Sequence, residues 1–111
     1  MTDTKEKSLE EISFQIILHS GNARSFAMEA MQLGKKGRFS EADEKLKLAN
    51  DEFHEAHHVQ TSLLTKESTG EGVSPNVLLI HAQDHLMNAM TVKDLALEII
   101  ELHQKFDQGG H

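Results

Sequence analysis

Apolar residues recur in alternating steps of three and four along three long stretches of this chain, and only two Gly-containing segments interrupt them. That rhythm is the stripe of an α-helix packed against other helices. It excludes much. No window alternates with period two while being rich in β-branched and aromatic residues, so no strand is expected. The interruptions are Gly34-Lys35-Lys36-Gly37-Arg38-Phe39-Ser40 and the ten residues from Glu67 to Asn76. Both carry the Gly, Ser and Pro that punctuate helices.

The first helix is expected over about 9–34. Ser8 is a good N-cap and Glu11, three residues on, completes a capping box. Its stripe is Leu9, Ile12, Ile16, His19, Ala23, Phe26, Ala30 and Leu33, and Gly34 and Gly37 suit its C-terminal end. The second is expected over about 41–66, after Ser40, with Glu41 and Asp43 in a favourable first turn. Its stripe is Ala42, Leu46, Ala49, Phe53, Ala56, Gln60 and Leu63. The third is expected over about 76–105, with Ser74 as cap and Pro75 in the first turn. Its stripe is Leu78, Ala82, His85, Ala89, Val92, Ala96, Ile99 and His103, and the tail from Gln108 to His111 is expected to fray.

Helices of this length are rods of about 40 Å. Short connections make successive rods antiparallel, so the chain reads as one all-α domain, 1–111, folded as an up-down-up three-helix bundle. The third helix has a second feature. At about 100° per residue, Val77, His81, Asp84, Asn88 and Leu95 fall on one side, roughly opposite Leu79, Ala82, Leu86, Ala89, Met90 and Leu97. Such a helix contacts two neighbours, which points to an oligomer surface. A chain of 111 residues folds alone with a thin margin, which favours burying more surface in an assembly.

Charge narrows the partners. With 11 Lys plus Arg against 18 Asp plus Glu the formal charge is −7, the wrong sign for a phosphate backbone, which argues against nucleic acid as a partner. There is no Cys, which removes disulfides, thiolate zinc sites and a thiol nucleophile. No apolar run approaches the roughly 20 residues that span a bilayer. Met1–Lys5 has no apolar core of a secretory signal. A soluble, cytoplasmic protein is the expectation.

Chemistry has to come from histidine. Of eight His, three lie on the second helix, His54, His57 and His58, beside Asp51 and Glu55. On the third, His81 and His85 lie beside Asp84, with His103 near the end. Residues three or four apart share a helix face, so either cluster can hold a metal. Glu55-x-x-His58 has the spacing of bundle di-metal sites, but those need a second such motif and two further Glu, and none is present. A solvated His/Glu face is the plainer reading of that cluster. On the third helix, imidazole is a competent nucleophile near neutral pH, and a phosphoryl group needs mainly positioning and donors. Gln83 and His85 are near enough in sequence to help. His81 also reads simply as a polar interface residue. Asp84 sits beside apolar positions, where an unpaired charge is costly, and calls for a cation, a proton or a polar partner. Gly21, inside the first helix, costs roughly 1 kcal/mol against Ala and hints at close approach by another helix or a partner. Walker-type loops, Gly-x-Ser-x-Gly elbows and His-Glu-x-x-His helices are absent.

Several segments together resemble a known family, the IIA component of the lactose/cellobiose (and diacetylchitobiose) class of the bacterial phosphoenolpyruvate-dependent sugar phosphotransferase system. They are Gly21-Asn22-Ala23-Arg24-Ser25 with Met28-Glu29-Ala30, Phe39-Ser40-Glu41-Ala42, Ala56-His57 with Gln60-Thr61, and above all the run from Leu78 to Met87. The resemblance implies a homotrimer of three-helix bundles. It implies that His81 is phosphorylated on Nε2 by the phosphohistidine of HPr and passes the group to a Cys of the cognate IIB, after which the membrane IIC moves and phosphorylates a β-linked disaccharide. It places Asp84 at the trimer axis, where three copies share one divalent cation, Mg²⁺. Gln83 and His57 become candidate donors to the phosphoryl oxygens. Asn88 stands where members often carry Thr, which touches no assigned role. Two readings of other classes compete: a His/Glu-rich metal-binding bundle using His54, His57 and His58, and a plain helical adaptor.

Overall fold

The structure, a computed structural model, describes residues 8–109. The readings of Met1–Lys5 and of the last two residues lie outside them, while Gln108 and Gly109, expected to fray, instead end the third helix. Three helices follow in order, α1 (Leu9–Lys35), α2 (Phe39–Ser68) and α3 (Val77–Gly109), with no strand among the described residues. The expected bundle is therefore observed, and α1 packs extensively against both α2 and α3, which touch each other less.

Local chemistry sets the ends. Ser8 Oγ accepts from Glu11 N at 3.1 Å and Glu11 Oε1 accepts from Ser8 N at 3.0 Å, the capping box expected. After α1 the chain reverses through Gly37, whose φ of +78° is left-handed backbone, and Arg38 N donates to Leu33 O at 2.9 Å. Two expected caps are corrected. α2 starts before Ser40: Arg38 takes the cap position without a side-chain cap bond and instead holds Glu41 with two 2.9 Å bonds. α3 is capped by Asn76, whose Oδ1 accepts from Leu79 N at 2.8 Å. An Asn carbonyl at that position satisfies an orphan N–H, so Ser74 and Pro75 remain outside the helix.

The core has two lobes. One joins Ile12 and Ile16 of α1, Ala56 and Leu63 of α2, and Leu79, Ala82 and Leu86 of α3. The other joins the opposite ends, with Ala27, Ala30, Ala42, Leu46, Ala49, Ala96 and Ile100. This pairing makes α1 and α3 parallel and α2 antiparallel to both. Between the lobes a polar clasp ties α1 to α2: Glu52 Oε1 meets His19 Nδ1 at 2.8 Å and Asn22 Nδ2 at 3.1 Å. The hydrogen bond from His19 leads the effects that hold the Glu52 carboxyl below its ordinary value, burial opposing it and Asn22 adding to it.

The α2 stripe is buried or half-buried throughout, as expected. On α3 the core runs one residue further round than the simplest stripe, through Leu79, Leu86 and Ile100 rather than Leu78, His85 and Ile99. Turning the larger aliphatic groups inward leaves the His half-buried at the edge. On α1 the core also takes Ser13 and Ser20, whose buried hydroxyls have no hydrogen-bond partner among the described residues. No helix among the described residues is long and apolar enough to cross a membrane.

Candidate functional site

The second turn of α3 carries the site. Asn76 fixes where the helix starts, and Leu79, Ala82 and Leu86 anchor its inner face in the core. His81, Asp84 and Asn88 are thereby turned outward, with Val77 82 % exposed and Leu95 53 % exposed on the same side. This is the two-faced helix expected from the sequence, and its outer apolar groups have no cover within one chain.

His81 is exposed and His85, one turn on, is half-buried. Their Nε2 atoms lie 3.2 Å apart, and the rings meet edge-to-face with centroids at 4.5 Å. A hydrogen bond between two imidazole nitrogens needs one N–H and one lone pair. In the tautomer with the proton on His85 Nε2, the lone pair of His81 Nε2 is held at the surface beside a donor. That is a nucleophile and an N–H able to follow a charged group placed on it.

The other residues singled out from the sequence fall elsewhere. Gln83 is two residues from His81 and so roughly 200° round the helix. Its Oε1 accepts from Gln60 Nε2 at the α2–α3 seam. His57 is exposed on α2, its ring stacked on Phe53 with centroids 6.1 Å apart, and Lys93 Nζ stands 5.2 Å from the centroid of the same Phe53 ring. Within one chain, then, the structure brings His85 to His81 and does not bring Gln83 or His57. The i, i+4 spacing was the available signal for His85, and the i, i+2 spacing of Gln83 argued against it.

No group of three His, Asp or Glu among the described residues converges on a point, so His54, His57 and His58 with Asp51 and Glu55 do not form a centre within one chain. Asp84 is exposed on the uncovered face of α3 and has no hydrogen bond or ion pair among the described residues. A single carboxylate is too few ligands for a hard cation, but three copies around an axis supply the oxygen donors Mg²⁺ prefers. The donor chemistry fits, provided the ligands come from several chains.

Comparison with known proteins covers nearly the whole chain. Residues 11–104 match the family described as "PTS system, Lactose/Cellobiose specific IIA subunit". The chain is 54 % identical over 102 residues to the lichenan-specific phosphotransferase enzyme IIA component of Bacillus subtilis (strain 168), covering 92 % of this chain and 93 % of that one. The structure superposes on the cellobiose-specific enzyme IIA of Bacillus anthracis with a TM-score of 0.90 and 53 % identity, covering 98 % of this chain and all of that one, which is 100 %. It also superposes on the IIA of the Escherichia coli IIA(chitobiose)–HPr complex, with a TM-score of 0.78, 37 % identity and coverage of 90 % and 97 %. The chain thus belongs to the lactose/cellobiose-specific IIA subunits of the sugar phosphotransferase system, phosphotransferase components of a transport machinery.

Proposed function

We propose that His81 is the phosphoryl carrier of this IIA subunit, loaded on Nε2 by phospho-HPr and discharged to a Cys of the cognate IIB. The observation that carries this reading is the His81–His85 pair, an exposed ring nitrogen beside a donor on a rigid helix. The lone pair of His81 Nε2 attacks phosphorus while the P–N bond to the donor imidazole breaks. The electrons of that bond stay on the donor ring, which takes up a proton, and the Nδ1 proton of His81 goes to solvent. His85 Nε2–H, freed from the lone pair, turns to a phosphoryl oxygen. Discharge reverses these moves with a thiolate as the attacking group. The phosphoryl group adds about −1.5 to −2 charges to a chain already at −7, so the site presents the group rather than holding it tightly.

The working form in this reading is a cytoplasmic homotrimer that covers the outer face of α3, with the membrane IIC acting downstream of IIB. Three Asp84 carboxylates at the axis repel one another, and a shared Mg²⁺ neutralises them when bound. Gln83 and His57 would then contribute to a phosphoryl group only from a groove between subunits. The names of the relatives, lichenan- and cellobiose-specific, support a β-linked disaccharide as the cargo of the system. No observation favours the metal-binding bundle.

The test is transfer of labelled phosphoryl from phospho-HPr to the wild-type chain and to His81→Ala. The expected result is loading of the wild type and a loss of at least about 10³-fold in the variant, with the helical content intact. Equal loading of both would overturn the assignment.

A further inference from the structure

We infer that the guanidinium of Arg24, on α1, holds the phosphoryl group carried by His81. The inference rests on the carrier function proposed above. Three observations support it.

The first is placement across the bundle. On α1, His19 and Asn22 bind Glu52 of α2, and Lys45 of α2 stands over the Phe26 ring. These residues mark the edge of α1 that faces α2. Arg24 is two residues from Asn22 and two from Phe26. It therefore lies roughly 200° round from either, on the edge that borders α3. On α3, the bond between Gln60 and Gln83 marks the edge facing α2. His81 and His85 stand two residues to either side of Gln83, and by the same geometry they border α1. Arg24 and the imidazole pair thus face one groove, between α1 and α3.

The second is height. α1 and α3 are parallel, and a Cβ on Gly34 would meet Ile100 Cγ1 at 3.0 Å, so those two residues stand level. Counted back from that pair, Arg24 is level with Met90, about 7.5 Å beyond His85 along the axis. Side chains on a helix lean toward its N-terminus, over the residues three and four before them. Arg24 therefore leans toward the level of the imidazole pair, and the position it crosses is Gly21. A Cβ added to Gly21 would meet nothing within 4 Å. The close approach expected of this glycine is not made by another helix of the chain. A residue of poor helix propensity instead leaves open the path from the guanidinium to the groove.

The third is charge. Arg24 is exposed and makes no hydrogen bond or ion pair among the described residues. Other cations are engaged elsewhere: Arg38 holds Glu41, Lys45 holds Glu29, and Lys93 holds Asp94 and stands over Phe53. A phosphoryl group brings about −1.5 to −2 charges to a chain already at −7, beside the exposed Asp84. A guanidinium presents paired N–H donors that match phosphoryl oxygens, and it stays charged throughout. His85 Nε2–H reaches the group from α3 and Arg24 from α1. Arg24 forms no covalent bond and gives up no proton. It balances the charge spread over the phosphoryl oxygens while the P–N bond to the donor breaks and the P–N bond to His81 forms.

The experiment compares full-length wild type, Arg24→Gln and Arg24→Lys in rapid-quench loading from phospho-HPr, with the helical content of each recorded. At saturating phospho-HPr, Arg24→Gln is expected to load about 100-fold more slowly, with KM within about threefold of wild type. Arg24→Lys restores the charge without the planar fork and should recover part of the rate. Each chain is then loaded to completion and its phosphoryl group titrated by phosphorus NMR. A cation against the phosphoryl oxygens favours their ionised form, so the phosphoryl pKa is expected to rise by about one unit in Arg24→Gln. A wild type that takes up no phosphoryl group would defeat the carrier reading itself. A wild type that loads, beside an Arg24→Gln chain of equal rate and equal phosphoryl pKa, would overturn the role of Arg24 alone. A raised KM with unchanged kcat would overturn it too, by assigning the guanidinium to contact with HPr.

Discussion

α2 and α3 carry their histidines differently, and the contrast explains why density of metal- or phosphate-active residues in a sequence is a poor guide to a site. α2 has the denser cluster, with His54, His57 and His58 flanked by Asp51 and Glu55. Yet His54 and His57 turn toward Phe53, and His58 lines a different groove with Val59 and Ser62. Steps of three, one and four spread these side chains round the helix, and no three of them meet. α3 has three, spread from His81 to His103, but His81 and His85 are four apart, and their Nε2 atoms stand 3.2 Å from each other. Convergence, not number, makes the candidate site.

That contrast can be broken most directly at His85. His85→Ala is expected to slow loading of His81 by about 100-fold, the usual cost of removing one preorganised donor, and His85→Gln should recover part of the loss by restoring an N–H. Rapid-quench measurement of phosphoryl uptake from phospho-HPr gives both numbers, and an unaffected rate in His85→Ala would reduce the pair to a packing contact.

Asp84→Leu sharpens the α3 side further. Sedimentation together with bound-metal analysis should find the trimer retained and the cation lost, because an aliphatic group on that face joins the exposed Val77 and Leu95 instead of repelling its copies. A monomeric variant beside a trimeric wild type would place Asp84 away from the axis.

Glu52 is the acidic group of α2 that does converge, on His19 and Asn22. Its carboxyl is held below the ordinary value of 4.5. The folded state therefore gains stability from the ionised form above that value and loses it as pH falls through the lower, folded value. Thermal midpoints followed from pH 6 downward should drop less steeply for Glu52→Gln than for wild type. Equal slopes would mean that the clasp contributes nothing.

The smallest effect is expected where the sequence is richest. Replacing His54, His57 and His58 together by Gln should leave loading of His81 within about twofold, since surface changes away from a site are usually minor. A large loss would show that α2 reaches the phosphoryl group from a neighbouring chain.

Most of the fold was legible because burial on a helix has a period. The α2 stripe from Ala42 to Leu63 reads correctly since each step changes polarity sharply. α3 is apolar on two sides, so periodicity alone does not rank Leu78 against Leu79 as the inward residue, and only packing with α1 and α2 decides. Ser13 and Ser20 escaped for a related reason: small polar residues carry no apolar signal, yet they fit where helices come close. The caps at Arg38 and Asn76 differ from expectation by two residues each, the range over which several polar side chains compete to satisfy the same N–H groups. At the site, the outward placement of His81 and Asp84 follows from the sequence. The partnership with His85 depends on ring orientation, and the engagement of Gln83 by Gln60 depends on which edge of α3 faces α2.

The carrier role turns on which atom takes the phosphoryl group. The direct measurement is site mapping of the wild-type chain after incubation with phosphoenolpyruvate, Enzyme I and HPr, quenched in base to protect phosphohistidine. One acid-labile phosphoryl group per chain, on His81, is the predicted result. A group on His85 or His57, or no uptake by a folded chain in the presence of active phospho-HPr, would contradict it.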